Sequence, residues 1–357
     1  MPWIIVLPAF VALFLSLINF ITIRKPLADS EISDFVSVIV PLRNEANNVI
    51  GLIENLRSQN SLANVEFILL DDNSDDSTFN LVSAAIEKRS NFRLIQGEPL
   101  PPGWIGKVWA LHQLLAQTHG EIIVSIDADV RLTPDAISRS ITLMKSTQLD
   151  FLSPYPHQIA QTLGERLIQP LLQWSWMSTL LLRLSERTAF SSMAVANGQF
   201  FIVKKQALDA AGGYEAVKNA VLDDVFLARR LIKTGSHGAV VSGAQIAECR
   251  MYSSWSEIEA GYGKSLRHGF GSIFGSMSAI LLLFLTGVAP LILAFTGSMW
   301  GWIAFICMVV TRILSARRSR MRMHDSLLHP ISSTLLIYLI LYSYLMRGDV
   351  KWKGRTV

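Results

Sequence analysis

Charged residues are scarce in this chain of 357 residues: 17% are Asp, Glu, Lys or Arg, whereas 50% are hydrophobic. A soluble domain carries about a quarter charged residues, so the shortage indicates apolar segments that lie in a membrane. The high apolar content also excludes a disordered chain. Cysteine is scarcer still, since Cys249 and Cys307 are the only two and form no CxxC pair. A disulfide framework and a zinc ribbon are therefore excluded.

No nucleic-acid partner is expected, although the net charge is +4. The Lys and Arg residues are either spread along the chain or bunched beside apolar runs. Bunching of this kind is typical of the flanks of membrane segments and not of a nucleic-acid-binding face.

Charge is absent from residues 1–23, and Arg24-Lys25-Pro26 follows directly. This predicts an N-terminal transmembrane helix over 1–23, long enough to cross about 30 Å of hydrocarbon. A signal peptide is disfavoured, because no basic region precedes the run and no small-residue cleavage site closes it. The positive-inside rule then predicts a multi-pass protein of the cell membrane, with the segment 24–35 as a linker to a cytoplasmic catalytic domain.

A second charge-free stretch, 269–311, is too long for one helix and has a turn sequence, Thr296-Gly297-Ser298, in its middle. It predicts a helical hairpin, and one further apolar run near 327–346 completes a C-terminal membrane region over 269–346. One more crossing would put the basic tail 347–357 outside, against the positive-inside rule. Either the last run is re-entrant or another span is miscounted.

Residues 36–268 alternate β-branched runs with amphipathic segments, which predicts an α/β domain with a mostly parallel sheet and helices on both faces. Ligands bind at the carboxyl ends of the strands in such sheets. No GxGxxG or GxxxxGK[ST] sequence is present, so dinucleotide and P-loop sites lose their usual support. The predicted strands are 36–40, 65–70, 92–95 and 122–126.

Acidic residues follow two of these strands. Asp71-Asp72 ends the second, and Asp127-Ala128-Asp129 ends the fourth. Residues two apart in an extended segment point to the same face, so both carboxylates of the D-x-D can reach one site. Paired hard oxygens suit Mg²⁺ or Mn²⁺, and such a metal completes its shell with substrate phosphates. The alternative for each acidic group is a loop or a helix cap.

Five motifs, in their order along the chain, resemble the membrane-bound family 2 glycosyltransferases of the GT-A fold. Three further groups of residues resemble a narrower set within that family, namely the enzymes that glycosylate carotenoid acids of the diaponeurosporenoate type and their hopanoid-pathway relatives. The five are Val36-Ser37-Val38-Ile39-Val40-Pro41, Leu69-Leu70-Asp71-Asp72-Asn73-Ser74, Gly103-Trp104-Ile105-Gly106-Lys107, Asp127-Ala128-Asp129 and Leu222-Asp223-Asp224. The others are Pro102 to Lys107 with Trp109-Ala110, Arg250-Met251-Tyr252 with Gly261, Lys264 and Ser265, and the closing Trp352-Lys353-Gly354-Arg355.

The resemblance implies a nucleotide-sugar donor and a role for each matched residue. Asp72 would bind the nucleotide base, with Pro41 and Glu45 lining the same pocket. Asp129, helped by Asp127, would hold Mg²⁺ or Mn²⁺ on the diphosphate. For the transfer itself, the resemblance implies Asp224 as the general base on the acceptor, with Asp223 beside it.

Other site residues are predicted from local chemistry, each beside a structural alternative. Lys107 opens a helix and can approach a phosphate, or it is a solvated lysine in a tight turn. Asn197-Gly198-Gln199 would shape the acceptor side, or hold a buried, satisfied amide. Lys264 and Arg267 would contact the diphosphate, or only flank a membrane segment. The alternative for Asp223-Asp224 is a helix N-cap, which can coexist with the catalytic role.

The segment 163–187 is rich in Leu and Trp and is charge-free from Leu167 to Leu182. Its clustered Trp residues predict an interfacial helix that guides a lipid toward the site, and the alternative is a core helix.

Together these features predict an inverting, metal-dependent transfer of a hexose, first of all glucose, from a UDP-sugar to a hydrophobic lipid acceptor. A carotenoid-type terpenoid is favoured. The alternatives are a hopanoid, sphingolipid or polyprenyl-phosphate glycosyltransferase, or a non-catalytic membrane scaffold with a degenerate transferase fold. A processive polysaccharide synthase is disfavoured. Processive members of the family that the chain resembles carry a Q-x-x-R-W sequence near the membrane, and the corresponding stretch here, Lys264 to His268, lacks its Gln and its Trp.

Overall fold

The computed structural model describes residues 2–87, 89–345, 351–352 and 355–356. Most of the predicted tail, 347–350, 353, 354 and 357, lies outside the described residues. The helices are α1 Trp3–Thr22, α2 Val49–Arg57, α3 Thr78–Ile86, α4 Gly106–Ala116, α5 Ala136–Ser146, α6 Leu163–Ile168, α7 Pro170–Thr179, α8 Leu182–Ser185, α9 Lys205–Ala210, α10 Asp223–Lys233, α11 Trp255–Gly269, α12 Ile273–Leu283, α13 Ala289–Phe295, α14 Met299–Ser319 and α15 His329–Leu345.

Short 3₁₀ turns cover Ser191–Met193, Tyr214–Val217 and Met323–Leu328, and a π-helical stretch, Phe284–Val288, joins α12 to α13. The strands are β1 Ile32–Leu42, β2 Leu62–Asp71, β3 Phe92–Gln96, β4 Ile122–Ile126, β5 Val130–Leu132, β6 Phe151–Tyr155, β7 His157–Gln158, β8 Phe200–Lys204, β9 Gly238–Ser242, β10 Ala247–Cys249, β11 Lys351–Trp352 and β12 Arg355–Thr356.

Seven strands form the central sheet in the order β3-β2-β1-β4-β8-β6-β9. Only β8 runs antiparallel to its neighbours, so the prediction of a mostly parallel sheet is confirmed. A small sheet, β5-β10-β7, lies beside it. The predicted linker 24–35 is too long, because β1 begins at Ile32, which is buried and pairs with Leu62.

Helices cover both faces of the central sheet, as predicted. In β1, Val36, Val38 and Val40 point to the core beneath α2, α3 and α5, whereas Ile39 points to the core beneath α4, α9 and α10. Alternate residues of a strand face opposite sides, so a nearly continuous apolar run is what a strand buried on both faces requires. The polar residues that follow such a strand emerge together at one edge of the sheet.

Within the described residues, four helical segments are long and apolar enough to cross a membrane: Trp3–Thr22, Ile273–Phe295, Met299–Ser319 and Met323–Leu345. Helices α13 and α14 pack as a hairpin, and the turn between them contains Gly297 at a φ of 89°. A left-handed residue of this kind is where glycine is favoured at a helix end. Gly301 packs directly on the backbone of Ala294, so the two arms of the hairpin run antiparallel in close contact.

Helix α15 runs antiparallel to α12. The Tyr344 and Ser276 hydroxyls are 2.7 Å apart near the end of α15 and the start of α12, and Ser333 lies against Gly287 further along. Both ends of the segment 320–345 therefore lie at the end of the helix bundle nearest the α/β domain. There the Ser319 carbonyl, which closes α14, is 2.8 Å from His157 Nδ1 of β7.

The segment 163–187 folds as α6, α7 and α8, and the two Trp side chains that motivated an interfacial helix are buried. Trp174 and Trp176 are each 5% exposed, and Trp174 Nε1 donates a hydrogen bond to Thr311 Oγ1 of α14 at 2.8 Å. Because both Trp side chains are buried between the membrane helices and the α/β domain, the alternative interpretation, a core helix, is favoured. The surface of this segment still presents Leu172 and Leu184 to the outside.

Candidate active site

The loops after β1 and β2 are tied together at the carboxyl edge of the sheet. Asp72 N donates to the Leu42 carbonyl at 2.8 Å, and Arg43 Nη1 donates to the Asp72 and Asn73 carbonyls at 2.5 and 2.8 Å. Asp72 is fully buried and Pro41 is buried beneath the same loops. This fixed pair of loops is where the resemblance puts the nucleotide base.

Asp127 and Asp129 follow β4 and lie on the same edge. Asp127 accepts from Lys107 Nζ at 2.6 Å, and Asp129 accepts from the Cys249 thiol at 3.2 Å. Burial, and then the like charge of Asp127, raise the pKa of Asp129 to about 6. A cation bound beside a carboxyl group whose pKa is raised in this way would stabilise its charged form.

Lys107 lies at the first turn of α4 and faces three carboxylates. Burial disfavours its charge, but Asp127, Asp223 and Asp224 outweigh that effect and raise the pKa of Lys107 above its usual value. Lys107 is therefore a permanent cation inside an acidic cluster, not a solvated lysine. A fixed ammonium group of this kind can bind a phosphate oxygen.

Asp224 is held at the start of α10 by two backbone N–H groups. Its Oδ1 accepts from Val225 N and its Oδ2 from Gly198 N, each at 2.7 Å. Burial, and then the neighbouring charge of Asp223, raise the pKa of Asp224 to about 7. The same burial raises the pKa of Asp223. Helix α10 begins at Asp223 and its N-cap residue, Leu222, makes no side-chain cap hydrogen bond, so both carboxylates lie in the first turn and not at the cap. A pKa near neutrality suits a general base.

The Asn197-Gly198-Gln199 turn connects the cluster. A Cβ at Gly198 would lie 3.3 Å from Asp224 Cβ and 3.4 Å from Lys107 Nζ, so the turn backbone touches both residues. Asn197 Oδ1 accepts from Gln199 N at 2.8 Å, and Gln199 Oε1 accepts from Gln158 Nε2 at 2.7 Å. Gln199 is 5% exposed, so for that residue the buried, satisfied amide is the better interpretation.

Two further predicted residues fall in different surroundings. Lys264 on α11 lies close enough to Lys107 and Asp223 to be influenced by both charges, and burial, then Lys107, lower its pKa. Arg267, one turn later, donates from Nε to His268 Nε2 at 3.2 Å. Glu45 lies in the loop after β1, where its Oε2 accepts from Asn48 Nδ2 at 2.7 Å and its charge reaches Asp129. Its place beside the nucleotide base stays a prediction.

The donor set fits a divalent cation that is shared with a substrate. Within residues 2–87 and 89–345, no group of three or more His, Cys, Asp or Glu side chains could hold a metal alone. Asp129 and Asp127 supply hard carboxylate oxygens whose mutual repulsion a cation would relieve. Mg²⁺ and Mn²⁺ are commonly held by one or two carboxylates plus phosphates, so these residues fit such an ion.

Three residues of the site escaped prediction from the sequence. Arg43 joins the two loops, Cys249 donates to Asp129, and Gln158 donates to Gln199, whose Nε2 lies 3.0 Å from Cys249 Sγ. Arg43 comes two residues after the first motif and could have been found there. Cys249 and Gln158 come from β10 and β7, and no local pattern announces a contact across the small sheet.

The sheet order, the acids at its carboxyl edge and the helices on both faces define a nucleotide-sugar-binding domain of the GT-A type. A mannosyltransferase from Pyrobaculum calidifontis, solved in complex with GDP-Man and Mn²⁺, has a similar fold: the TM-score is 0.57 at 17% identity, over 97% of this chain and 98% of that one. Residues 37–212 match Glycosyl transferase family 2. This chain therefore carries a family 2 glycosyltransferase domain.

Two curated relatives add detail at low identity. The beta-monoglucosyldiacylglycerol synthase of Trichormus variabilis is 26% identical over 200 residues, 55% of this chain and 41% of that protein. The 4,4'-diaponeurosporenoate glycosyltransferase of Staphylococcus haemolyticus is 24% identical over 269 residues, 72% of this chain and 68% of that protein. The chain thus spans less than half of the first relative and about two thirds of the second.

Proposed function

We propose that the chain is an inverting, metal-dependent glycosyltransferase that moves a hexose, glucose in the first instance, from a UDP-sugar to a hydrophobic lipid acceptor. The observation that carries the proposal is the single cluster of Asp224, Lys107, Asp127 and Asp129 at the carboxyl edge of the sheet. A non-catalytic scaffold has no reason to keep a carboxylate of pKa about 7 beside a buried ammonium group.

In the proposed reaction, an acceptor oxygen attacks the anomeric carbon as the bond from that carbon to the diphosphate breaks. The bonding electron pair leaves with the diphosphate, and Asp224 takes the acceptor proton. Each oxygen of Asp224 accepts one backbone N–H and keeps a lone pair free for that proton. One base and a displacement from the opposite face give inversion at the anomeric carbon.

On the donor side, Asp72 and the tied β1 and β2 loops would hold the nucleotide base, and Lys107 would contact the diphosphate. Asp129 and Asp127 would hold Mg²⁺ or Mn²⁺, which neutralises charge on the departing diphosphate. The mannosyltransferase of similar fold was solved with Mn²⁺ and a nucleotide sugar, which supports this proposal for the donor site.

The proposed acceptor is a membrane lipid, because α11 carries Lys264 beside the cluster and leads within a few residues into α12. One relative is named for a glucosylated lipid that it makes, and the other for a terpenoid acid that it glycosylates. The carotenoid-type acceptor is favoured over diacylglycerol, since the similarity to the diaponeurosporenoate enzyme covers more of this chain, 72% against 55%.

The test is expression of the full chain in bacteria that make carotenoid acids, hopanoids or diacylglycerol lipids, with mass spectrometry of the lipid extracts. We expect one lipid class to gain a hexose, and Asp224→Asn to lower that product about 10²–10⁴-fold. Asp209→Asn is the matched control, because Asp209 is an exposed carboxylate on α9 that pairs only with Lys205 among the described residues.

The outcomes separate the parts of the proposal. A hexosylated diacylglycerol or hopanoid would overturn the carotenoid acceptor and keep the transfer reaction. Membranes that turn over GDP-mannose but not UDP-glucose would overturn the donor. Turnover unchanged by chelation of divalent cations would overturn the metal. No turnover of any nucleotide sugar by a folded, membrane-inserted chain would support the scaffold instead.

A further inference from the structure

A cavity of about 160 Å³ lies where the last turn of α14 meets α6, α7 and the turn Met323–Leu328. It is away from the nucleotide-sugar cluster and is lined by residues that the proposed reaction does not use. The charged or titratable side chains of its wall are His157, Arg166, Arg312, Arg320, Arg322 and Asp325. Four arginines against one aspartate give this wall a strong excess of positive charge.

Arg312 is the least expected of these residues. It lies in α14, a segment apolar enough to cross a membrane, and it is 3% exposed. Its Nη1 is buried and has no hydrogen-bond partner among the described residues, and its guanidinium group lies 6.0 Å from the Trp174 ring. A buried charge in a membrane segment is expensive and is kept where it faces a ligand or a partner.

The one acid of the wall does not neutralise the others. Asp325 forms a bidentate pair with Arg166, through Arg166 Nε at 2.9 Å and through Nη2. That pair accounts for one arginine and leaves Arg312, Arg320 and Arg322 in excess at the cavity. Arg320 and Arg322 are exposed at its mouth, just beyond the end of α14.

We propose that this cavity binds a phosphate group, with Arg312 at its base and Arg320 and Arg322 at its mouth. A guanidinium group presents its donors in a planar fork that matches phosphate oxygens. A phosphate in this position comes either from the headgroup of an anionic membrane lipid or from solution. The cavity opens at the end of a membrane-crossing helix, which is the depth of lipid headgroups.

The cavity is separate from the donor site but only one strand away from it. His157 lines the cavity, whereas the next residue of β7, Gln158, points the other way and donates to Gln199 at 2.7 Å. Successive residues of a strand face opposite sides, so β7 forms a common wall. Phosphate binding here does not require sugar transfer, so the two proposals fail independently.

The test uses the full chain, purified in a neutral detergent, and follows its thermal unfolding. In one arm, phosphatidylglycerol is titrated against a phosphatidylcholine background; in the other, inorganic phosphate is titrated at constant ionic strength. We expect a saturable rise in melting temperature with at least one probe, because a ligand that binds only the folded state stabilises it. The double variant Arg320→Gln/Arg322→Gln should weaken the apparent affinity about tenfold or more.

Arg317→Gln is the matched control, since Arg317 is exposed on the last turn of the same helix but does not line the cavity. Arg312→Met tests the base of the cavity. If Arg312→Met does not fold, the double variant Arg320→Gln/Arg322→Gln still tests the proposal. A response to phosphatidylglycerol alone identifies a lipid headgroup, and an equal response to inorganic phosphate identifies a soluble source. No saturable rise with either probe, or an equal loss of affinity in Arg317→Gln, would overturn the proposal.

Discussion

The pKa of Asp224 is set by the surroundings of its carboxyl group. Burial, followed by the charge of Asp223, raises its pKa to about 7, whereas Lys107 acts in the opposite direction. A base must be deprotonated to accept a proton, so transfer at limiting substrate should rise about tenfold per pH unit below pH 7 and level off above it. Initial rates measured across that range, on a membrane-embedded acceptor, check this expectation. A rate that is flat down to pH 5 would contradict it.

Lys107 controls the position of that inflection. Its positive charge lowers the pKa of Asp224, so Lys107→Met should raise that pKa and move the rising limb of the pH–rate profile to higher pH. The rate at the plateau should fall too, because a diphosphate contact is lost. Lys205→Met, on the exposed α9, is the control that removes a lysine from a simple surface pair. An inflection that stays in place in Lys107→Met would sink this account of the coupling.

The residues of the site could be predicted where their pattern is local. Asp127 and Asp129 follow a buried strand at a spacing that gives both the same face, and Asp223-Asp224 open a helix. Cys249 was missed, because its contact with Asp129 joins segments that are far apart in sequence. A linear pattern reports the direction of a side chain but not which distant side chain meets it.

At the scale of elements, Asn19 joins the first membrane helix to the α/β domain. Its Nδ2 donates to the Met177 and Leu180 carbonyls at 2.8 and 2.6 Å, and its Oδ1 accepts from Leu182 N at 3.1 Å. All three partners belong to the break between α7 and α8, where the helix leaves backbone groups unpaired. A fully buried amide is thus the connector of these elements.

Asn19→Leu keeps the volume of the side chain but leaves three backbone groups without this partner. Each unpaired buried group costs about 1–3 kcal/mol, so we expect a clear fall in melting temperature and faster proteolysis near Leu181. Thr22→Val is the control on the same helix, since the Thr22 hydroxyl bonds only to the Ile18 carbonyl within the part of the chain that the structure describes. If Asn19→Leu has the same melting temperature as the wild-type chain, α1 is held by apolar packing alone.

The elements themselves were predictable to different degrees. The strand 122–126 matches its prediction, because a short run that is apolar apart from Ser125 and lies between Glu121 and Asp127 has clear limits. The start of β1 was missed, since Ser33 and Asp34 interrupt the apolar pattern although Ile32 is buried and paired. For α7, the clustered Trp residues predict a membrane interface, but Trp174 is buried against α14 and Trp176 against Tyr155 of β6.

At the scale of the whole molecule, the direction of α15 decides on which side of the membrane the basic tail lies. A fourth crossing would put that tail outside, against the positive-inside rule. Three segments pass the full length of the bundle: α1, the helix pair α12–α13, and α14. The fourth, with its turn Met323–Leu328, begins beside Ser319 at the α/β domain and ends with Tyr344 beside Ser276, at the same end. We expect it to be re-entrant, which puts every basic cluster on one side and satisfies the positive-inside rule.

Cysteine labelling tests this topology, because the native Cys249 and Cys307 are both buried. In sealed membranes, Thr356→Cys should react with an impermeant maleimide only under conditions that label Asp209→Cys, an exposed position of the α/β domain. Thr296→Cys reports the opposite side, since it lies in the hairpin turn about 30 Å along α14 from the domain. If Thr356→Cys follows Thr296→Cys, then α15 crosses the membrane, and the contacts of Tyr344 with Ser276 and of Ser333 with Gly287 cannot describe the inserted protein.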